Sequence, residues 1–162
     1  NAGAYGGEMK DIIEFVDVLM PSGEIKRYSN EEMGFGYRKS IIDNEKIVLS
    51  AGLRLDKGKQ EDIEAYMNEL KEKRTSKQPL EYPSSGSTFK RPEGYFAGKL
   101  IEDAGLKGYS VGGAMVSTKH SGFVINYNNA TSEDVIRLIE DVRGIVFEKF
   151  GVMLEPEVKI IR

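Results

Sequence analysis

Residues 83–92 read Pro83-Ser84-Ser85-Gly86-Ser87-Thr88-Phe89-Lys90-Arg91-Pro92 and gather three serines, a glycine, two cations and two prolines. A glycine directly before Ser87 lets the backbone turn sharply and leaves the Ser87 hydroxyl free to point at a ligand. Lys90 and Arg91 follow at once, so an anion nearby would be held close to that hydroxyl. The same composition also describes a solvated loop. A second cluster, Tyr37-Arg38-Lys39-Ser40, follows glycines at Gly34 and Gly36 and sets an aromatic beside a guanidinium. Such an arginine could stabilise a developing oxyanion, because its charge does not titrate away; a surface arginine is the plainer alternative. A third, Leu154-Glu155-Pro156-Glu157-Val158, brackets a proline with two carboxylates inside an apolar run. A carboxylate on the inward face of a strand is expensive unless paired, whereas on an edge strand it is simply solvated. The glycines of Asn1-Ala2-Gly3-Ala4-Tyr5-Gly6-Gly7 would let a planar ligand approach the backbone closely. His120, the single histidine, follows Lys119 in a loop and is expected to be satisfied or exposed rather than an acid or base.

Bulk properties narrow the chemistry. The chain has 162 residues, room for one ordinary domain or two small ones. Net charge is -3 at pH 7, which gives no electrostatic footprint for nucleic acid. With no cysteine, disulfides, thiolate nucleophiles and Cys-ligated metals are excluded, and one histidine excludes a multi-His site within the chain. No apolar run approaches the roughly 20 residues of a membrane span, and no signal peptide is visible. No metal and no membrane is expected, and the cytoplasm is the default location. The Gly/Ala-rich start without a methionine reads as the middle of a longer protein.

The elements that must position these residues follow from periodicity. Residues 12–20 read as a strand, Pro21-Ser22-Gly23-Glu24 as a turn, and residues 25–28 as the returning strand of a hairpin. Asn30-Glu31-Glu32-Met33 reads as a capped turn of helix. Residues 46–55 read as a strand with Ile47, Leu49, Leu53 and Leu55 as candidate core and Gly52 as a bulge. Residues 60–74 form the first clear helix, with Ile63, Met67 and Leu70 on one face and Tyr66 beside them in the core. A second helix is expected over 95–104 with Phe96, Leu100 and Ile101 inward, stopped by Gly105 and Gly108. Residues 109–117 and 122–127 read as strands. Thr131-Ser132-Glu133-Asp134 opens a helix with a capping-box pattern, running to about Phe150 with Val135, Leu138, Ile139, Val142, Val146 and Phe150 on its apolar face. Residues 152–161 read as a final strand that Pro156 partly demotes. Strands and helices mix without a regular βαβ repeat, so the fold class is α+β.

Taken in order, these segments, with Gly112-Gly113-Ala114 and Lys119-His120-Ser121-Gly122-Phe123 between them, resemble the UDP-N-acetylenolpyruvoylglucosamine reductases. The resemblance runs over essentially all of the chain and is most specific at the serine loop and the closing Glu-Pro-Glu-Val. It corresponds to the C-terminal half or more of such an enzyme. The run Arg74-Thr75-Ser76-Lys77-Gln78-Pro79-Leu80-Glu81-Tyr82-Pro83 looks like the branch common in Gram-positive bacteria, which lacks an extra substrate-covering tyrosine loop. The resemblance implies FAD as cofactor and NADPH as reductant in making UDP-N-acetylmuramate for peptidoglycan from UDP-N-acetylglucosamine enolpyruvate. It implies Ser87 as the proton donor to the carbanion or enolate that hydride addition creates. It implies Arg38 as the enolate-stabilising arginine and Glu157, rather than Glu155, as the catalytic glutamate paired with it. By the same resemblance Tyr37, Arg74 and Arg91 would bind substrate, and Asn1, Gly3, Ala4 and Gly6 would line the flavin ring. Lys107, Lys119 and His120 fit the pattern without an assigned role.

Three segments are expected: residues 1–80 as the end of an FAD-binding domain, 81–152 as a substrate-binding domain, and 153–162 as a closing strand carrying the glutamate. The family's glycine-rich pyrophosphate loop has no match here, so a partner is implied, the N-terminal FAD-binding half of the same protein. The chain alone is expected to bind FAD weakly or not at all and to be inactive. Arg162 stands where the family usually ends in glycine. A UDP-sugar binding module without turnover is the competing reading, against which the joint presence of Ser87, Arg38 and Glu157 argues.

Overall fold

A computed structural model describes residues 1–161; Arg162, with the expectation attached to it, lies outside the described residues. The chain divides into two compact units, Asn1–Leu70 and Lys71 onward. Helices and antiparallel sheets make up both, an α+β fold as expected. Among the described residues no helix is long and apolar enough to cross a membrane.

The first unit opens with a two-stranded hairpin, β1 (Gly3–Ala4) and β2 (Gly7–Glu8), followed by a 3-10 turn at Met9–Asp11. A three-stranded antiparallel sheet follows in the order β4-β3-β5, with β3 at Ile13–Leu19, β4 at Ile25–Ser29 and β5 at Ile47–Leu53. Asp17 ties all three strands together. It lies opposite Arg27 on β4 and Ser50 on β5, takes two hydrogen bonds from the guanidinium at 2.7 and 2.9 Å, and one from the Ser50 hydroxyl at 2.7 Å. Alternation buries Val16 and Val18 with Tyr28 and Met33 against Phe35, Ile41 and Ile42. The register does shift at Gly52, but the extra residue is Glu14 on the partner strand β3 rather than one at Gly52, and a Cβ at Gly52 would stand 2.3 Å from the Phe15 ring.

Ile47, Leu49, Leu53 and Leu55 are not core. All four are half exposed or more, because β5 is a sheet edge that nothing in its unit covers. The expected helix is α1, Gln60–Lys77, but it buries no residue, and Ile63, Tyr66 and Met67 are exposed. Its ends are favoured instead by Glu61 and Asp62 in the first turn and Arg74 and Lys77 in the last.

The second unit is a four-stranded antiparallel sheet in the order β6-β9-β8-β7, with β6 at Ser84–Ser87, β7 at Ser110–Val111, β8 at Ala114–Val116 and β9 at Phe123–Asn126. Helices α2 (Ala97–Asp103) and α3 (Ser132–Phe150) pack together over a core of Leu100, Ile101, Ala114, Val116, Leu138, Val142, Val146 and Leu154. The capping box at Thr131 forms as read, with the Thr131 hydroxyl accepting from the Asp134 amide at 3.1 Å, and Gly151 closes α3 in the left-handed conformation.

Four details differ from the sequence expectation. Residues 109–117 form a tight hairpin rather than one strand, since Gly112 adopts φ 53° and Gly113 packs so closely that a Cβ would lie 2.1 Å from the Asn128 carbonyl oxygen. Phe96 is 61% exposed, lying beneath the Arg91 guanidinium at 3.9 Å instead of facing inward. Phe150, in the last turn of α3, is also exposed. The closing residues 152–161 form no strand; their pairing is limited to the isolated bridge between Pro156 and Phe89 and the backbone hydrogen bonds that flank it.

Candidate active site

The serine loop is built on β6. Its register against β9 shifts between Ser84 and Ser87, and Gly86 at φ 82° makes the sharp turn expected of it. Ser87 then lies opposite Phe123, exposed, and its hydroxyl makes no hydrogen bond among the described residues. The next residue reverses that environment. Thr88 is 3% exposed; its amide donates to the Gly122 carbonyl at 2.9 Å, and its hydroxyl accepts from the Val124 amide at 3.0 Å. Phe89 is buried in the core. A free hydroxyl thus sits one residue from a segment locked by hydrogen bonds to Gly122 and to Val124 on β9, the precondition for a positioned proton donor.

The closing segment runs beside this loop. The Glu157 amide donates to the Thr88 carbonyl at 2.9 Å, the Lys90 amide donates to the Glu155 carbonyl at 2.9 Å, and Phe89 bridges Pro156. The structure therefore brings the Ser87 and Glu157 segments together, with Glu157 opposite Thr88. The two glutamates differ: Glu155 is exposed and ion-paired to Lys90, whereas Glu157 is half buried beside Val158, which packs against the core. Ile160, two residues further on, is 47% exposed.

Thr88 and Arg143 hold this arrangement and were not found from the sequence. Arg143 on α3 donates to the Leu154 carbonyl at 2.9 Å while paired with Glu140 at 2.7 Å. Nothing in a lone arginine on a helix signals a carbonyl eleven residues away. No sequence signal sets Thr88 apart from the other hydroxyl residues of its loop.

Of the other residues of this unit, Arg91 donates to the Tyr95 carbonyl at 3.2 Å and is exposed; Arg74 is exposed in the last turn of α1. His120 is satisfied, as expected, its Nδ1 accepting from the Gly122 amide at 3.1 Å and its ring standing edge-on to Phe123. Lys119 reaches the Thr75 carbonyl at 2.9 Å and Glu81 at 3.6 Å, and Lys107 pairs with Glu102 at 2.8 Å.

The first unit gathers the remaining candidates. Tyr37 and Arg38 form the two-residue tip of a turn closed by reciprocal hydrogen bonds between Gly36 and Lys39, with Arg38 at φ 53°. The Arg38 guanidinium lies 5.2 Å from the Tyr37 ring and 3.5 Å from the Gly3 carbonyl. Asn1 joins this turn to the glycine hairpin: its side-chain amide donates to the Gly36 carbonyl at 3.0 Å and to Glu8 at 2.9 Å, and its side-chain oxygen accepts from the Lys10 amide at 3.1 Å. Hydrogen bonding from Lys10, then from Asn1, holds the Glu8 carboxyl below its ordinary pKa, with Arg38 adding a smaller push in the same direction.

Beside the hairpin lies an open depression lined by Ala2, Gly3, Ala4, Gly7, Met9 and Ile12, with the carboxylates of Glu8 and Asp11 also on its wall. Tyr5 and Gly6 turn at φ 52° and 88°, and a Cβ at Gly3 would already touch Glu8 at 2.9 Å. Small residues and bare backbone beside an apolar wall would suit a flat ring system at Gly3 and Ala4, whereas Asn1 and Gly6 do not line the depression.

Comparisons with known proteins agree on one class, the α+β reductases. A family model for the C-terminal domain of UDP-N-acetylenolpyruvoylglucosamine reductase matches residues 78–161. Proteins named UDP-N-acetylenolpyruvoylglucosamine reductase from Caldanaerobacter subterraneus and Lachnoclostridium phytofermentans are 60% and 62% identical over 162 residues, covering 99% of this chain and 54% and 52% of theirs. A crystal structure of the Thermus caldophilus UDP-N-acetylenolpyruvylglucosamine reductase superposes with a TM-score of 0.85 at 40% identity, covering 98% of this chain and 56% of that one. The chain belongs to the UDP-N-acetylenolpyruvoylglucosamine reductase family. It spans about half the length of the curated relatives it matches.

Proposed function

We propose that the protein to which this chain contributes reduces UDP-N-acetylglucosamine enolpyruvate to UDP-N-acetylmuramate, with FAD as cofactor and NADPH as reductant, in peptidoglycan precursor synthesis. The observation that carries this reading is the serine turn, where the Ser87 hydroxyl is unengaged and exposed while Thr88 is locked to both β9 and the Glu157 segment. The flavin, when bound, supplies the hydride that NADPH provides.

The residues of this chain do the rest. Ser87 gives its hydroxyl proton to the substrate carbon beside the carboxylate, and the alkoxide left on Oγ recovers a proton from solvent. A serine is a weak acid, so this needs close positioning and an acceptor as basic as an enolate. Arg38 stabilises the enolate oxygen with a charge that does not titrate. Glu157 acts on the same enolate or relays its proton. Arg74 and Arg91 take the diphosphate or carboxylate, whose paired oxygens match a guanidinium fork, and Tyr37 holds substrate in place. Gly3 and Ala4 line the flavin ring. The remaining flavin contacts fall to the N-terminal FAD-binding half, and the cytoplasm is the site of action.

The test is NADPH consumption by the intact, flavin-loaded protein. The reading predicts consumption that depends on the enolpyruvyl sugar nucleotide. Nucleotide binding without consumption would overturn it and favour the binding module.

A further inference from the structure

Phe96 does little for the fold where it stands. It is the N-cap of α2, in extended backbone at φ -116° and ψ 120°. Serine, threonine, aspartate and asparagine are favoured there, because their side chains bond the free amides of the first turn. A phenyl ring offers no such bond, and none forms. The ring is also 61% exposed, so it gains little from burial. Its backbone is nonetheless held firmly. Ala97, Leu100 and Ile101 are buried beside it, and the Leu100 amide donates to the Phe96 carbonyl at 3.1 Å. What the ring carries is Arg91, whose guanidinium carbon lies over it at 3.9 Å from the centroid. The Arg91 Nε donates to the Tyr95 carbonyl at 3.2 Å. The two terminal nitrogens make no hydrogen bond and no ion pair among the described residues. They form the fork that matches the paired oxygens of a phosphate or carboxylate.

We propose that Phe96 is a positioning residue for substrate binding: its ring holds Arg91 in the conformation that presents the terminal nitrogens to an anionic group of the sugar nucleotide. An arginine on a free stem loses rotamer freedom when it grips an anion; one already held by a ring and a carbonyl loses less. A ring suits this task better than a carboxylate would. It attracts the cation through its face, yet leaves the full positive charge for the ligand. The proposal rests on the reading that Arg91 binds substrate, and it adds a residue that acts through Arg91.

Calorimetric titration of the intact, flavin-loaded protein with the enolpyruvyl sugar nucleotide, without NADPH, gives Kd in the absence of turnover. Phe96→Ser is expected to weaken binding about five- to tenfold while the thermal midpoint holds or rises, because serine restores the cap. Phe96→Tyr is expected to keep Kd within about twofold, whereas Phe96→Leu, apolar but without the ring, should bind like Phe96→Ser. In turnover the loss is expected in KM rather than in kcat. Adding Phe96→Ser to Arg91→Ala should weaken binding no further, since the ring acts through the arginine. The same sugar nucleotide without its enolpyruvyl group tells the two anions apart: it loses affinity in Phe96→Ser if Arg91 takes the diphosphate, and keeps it if Arg91 takes the carboxylate. Unchanged affinity for the enolpyruvyl sugar nucleotide in Phe96→Ser, with Arg91→Ala weakened, would overturn the proposal and leave the reading of Arg91 standing. Unchanged affinity in Arg91→Ala would overturn both. A full further loss from Phe96→Ser on top of Arg91→Ala would make the ring a substrate contact in its own right and would also overturn the proposal.

Discussion

Thr88 separates what the serine loop binds from what holds it. Its buried hydroxyl accepts the Val124 amide, and its carbonyl accepts the Glu157 amide. Thr88→Val keeps the shape and removes the acceptor, leaving a buried amide unsatisfied at a cost of about 1–3 kcal/mol. The expected result is a lower urea midpoint with an unchanged slope. At this scale the turn that carries Ser87 was more legible than its support. Ser87 could be read because a glycine-serine step beside cations is a local pattern. The grip of Thr88 on β9 and of Arg143 on Leu154 joins distant parts of the chain, and no local pattern encodes it. Phe96 misled for a related reason: helical spacing turned it inward, whereas the cation Arg91 draws its ring to the surface.

At the scale of elements, the first sheet depends on one carboxylate. The Arg27 guanidinium, and after it the Ser50 hydroxyl, hold the Asp17 pKa down at about 2, below the ordinary value of 3.8. A carboxyl depressed in the folded state stabilises fully above its unfolded pKa and loses that contribution as pH falls towards the folded value. The first unit is therefore expected to lose stability between about pH 4 and pH 2. Asp17→Asn should flatten that limb of the thermal midpoint against pH, and an unchanged limb would exclude Asp17 as its source. Elements were legible where their partners are local. The Thr131 capping box and the hairpin of residues 12–28 both appear as read. The apolar residues of β5 and α1 were assigned to a core that their own unit does not supply. The strand pattern at 109–117 concealed a hairpin because Gly112 and Gly113 turn it within two residues.

For the whole molecule, the division of labour within the family is the issue. The chain carries a glycine hairpin, an arginine turn bonded to that hairpin, and a serine loop joined to the closing glutamate. It spans about half of its relatives, and no glycine-rich pyrophosphate loop is present in its sequence. Purified alone, it is expected to carry flavin well below one per chain, and stoichiometric flavin absorbance in the purified chain would contradict this division. The proposed chemistry has its most direct test at Ser87, in the intact protein. With the flavin reduced beforehand, the measurement is the rate of its reoxidation by the enolpyruvyl sugar nucleotide in Ser87→Ala. Loss of a positioned acid predicts a fall of about 10²–10⁴-fold, with flavin reduction by NADPH unchanged. Reoxidation at nearly the full rate would show that another group delivers the proton.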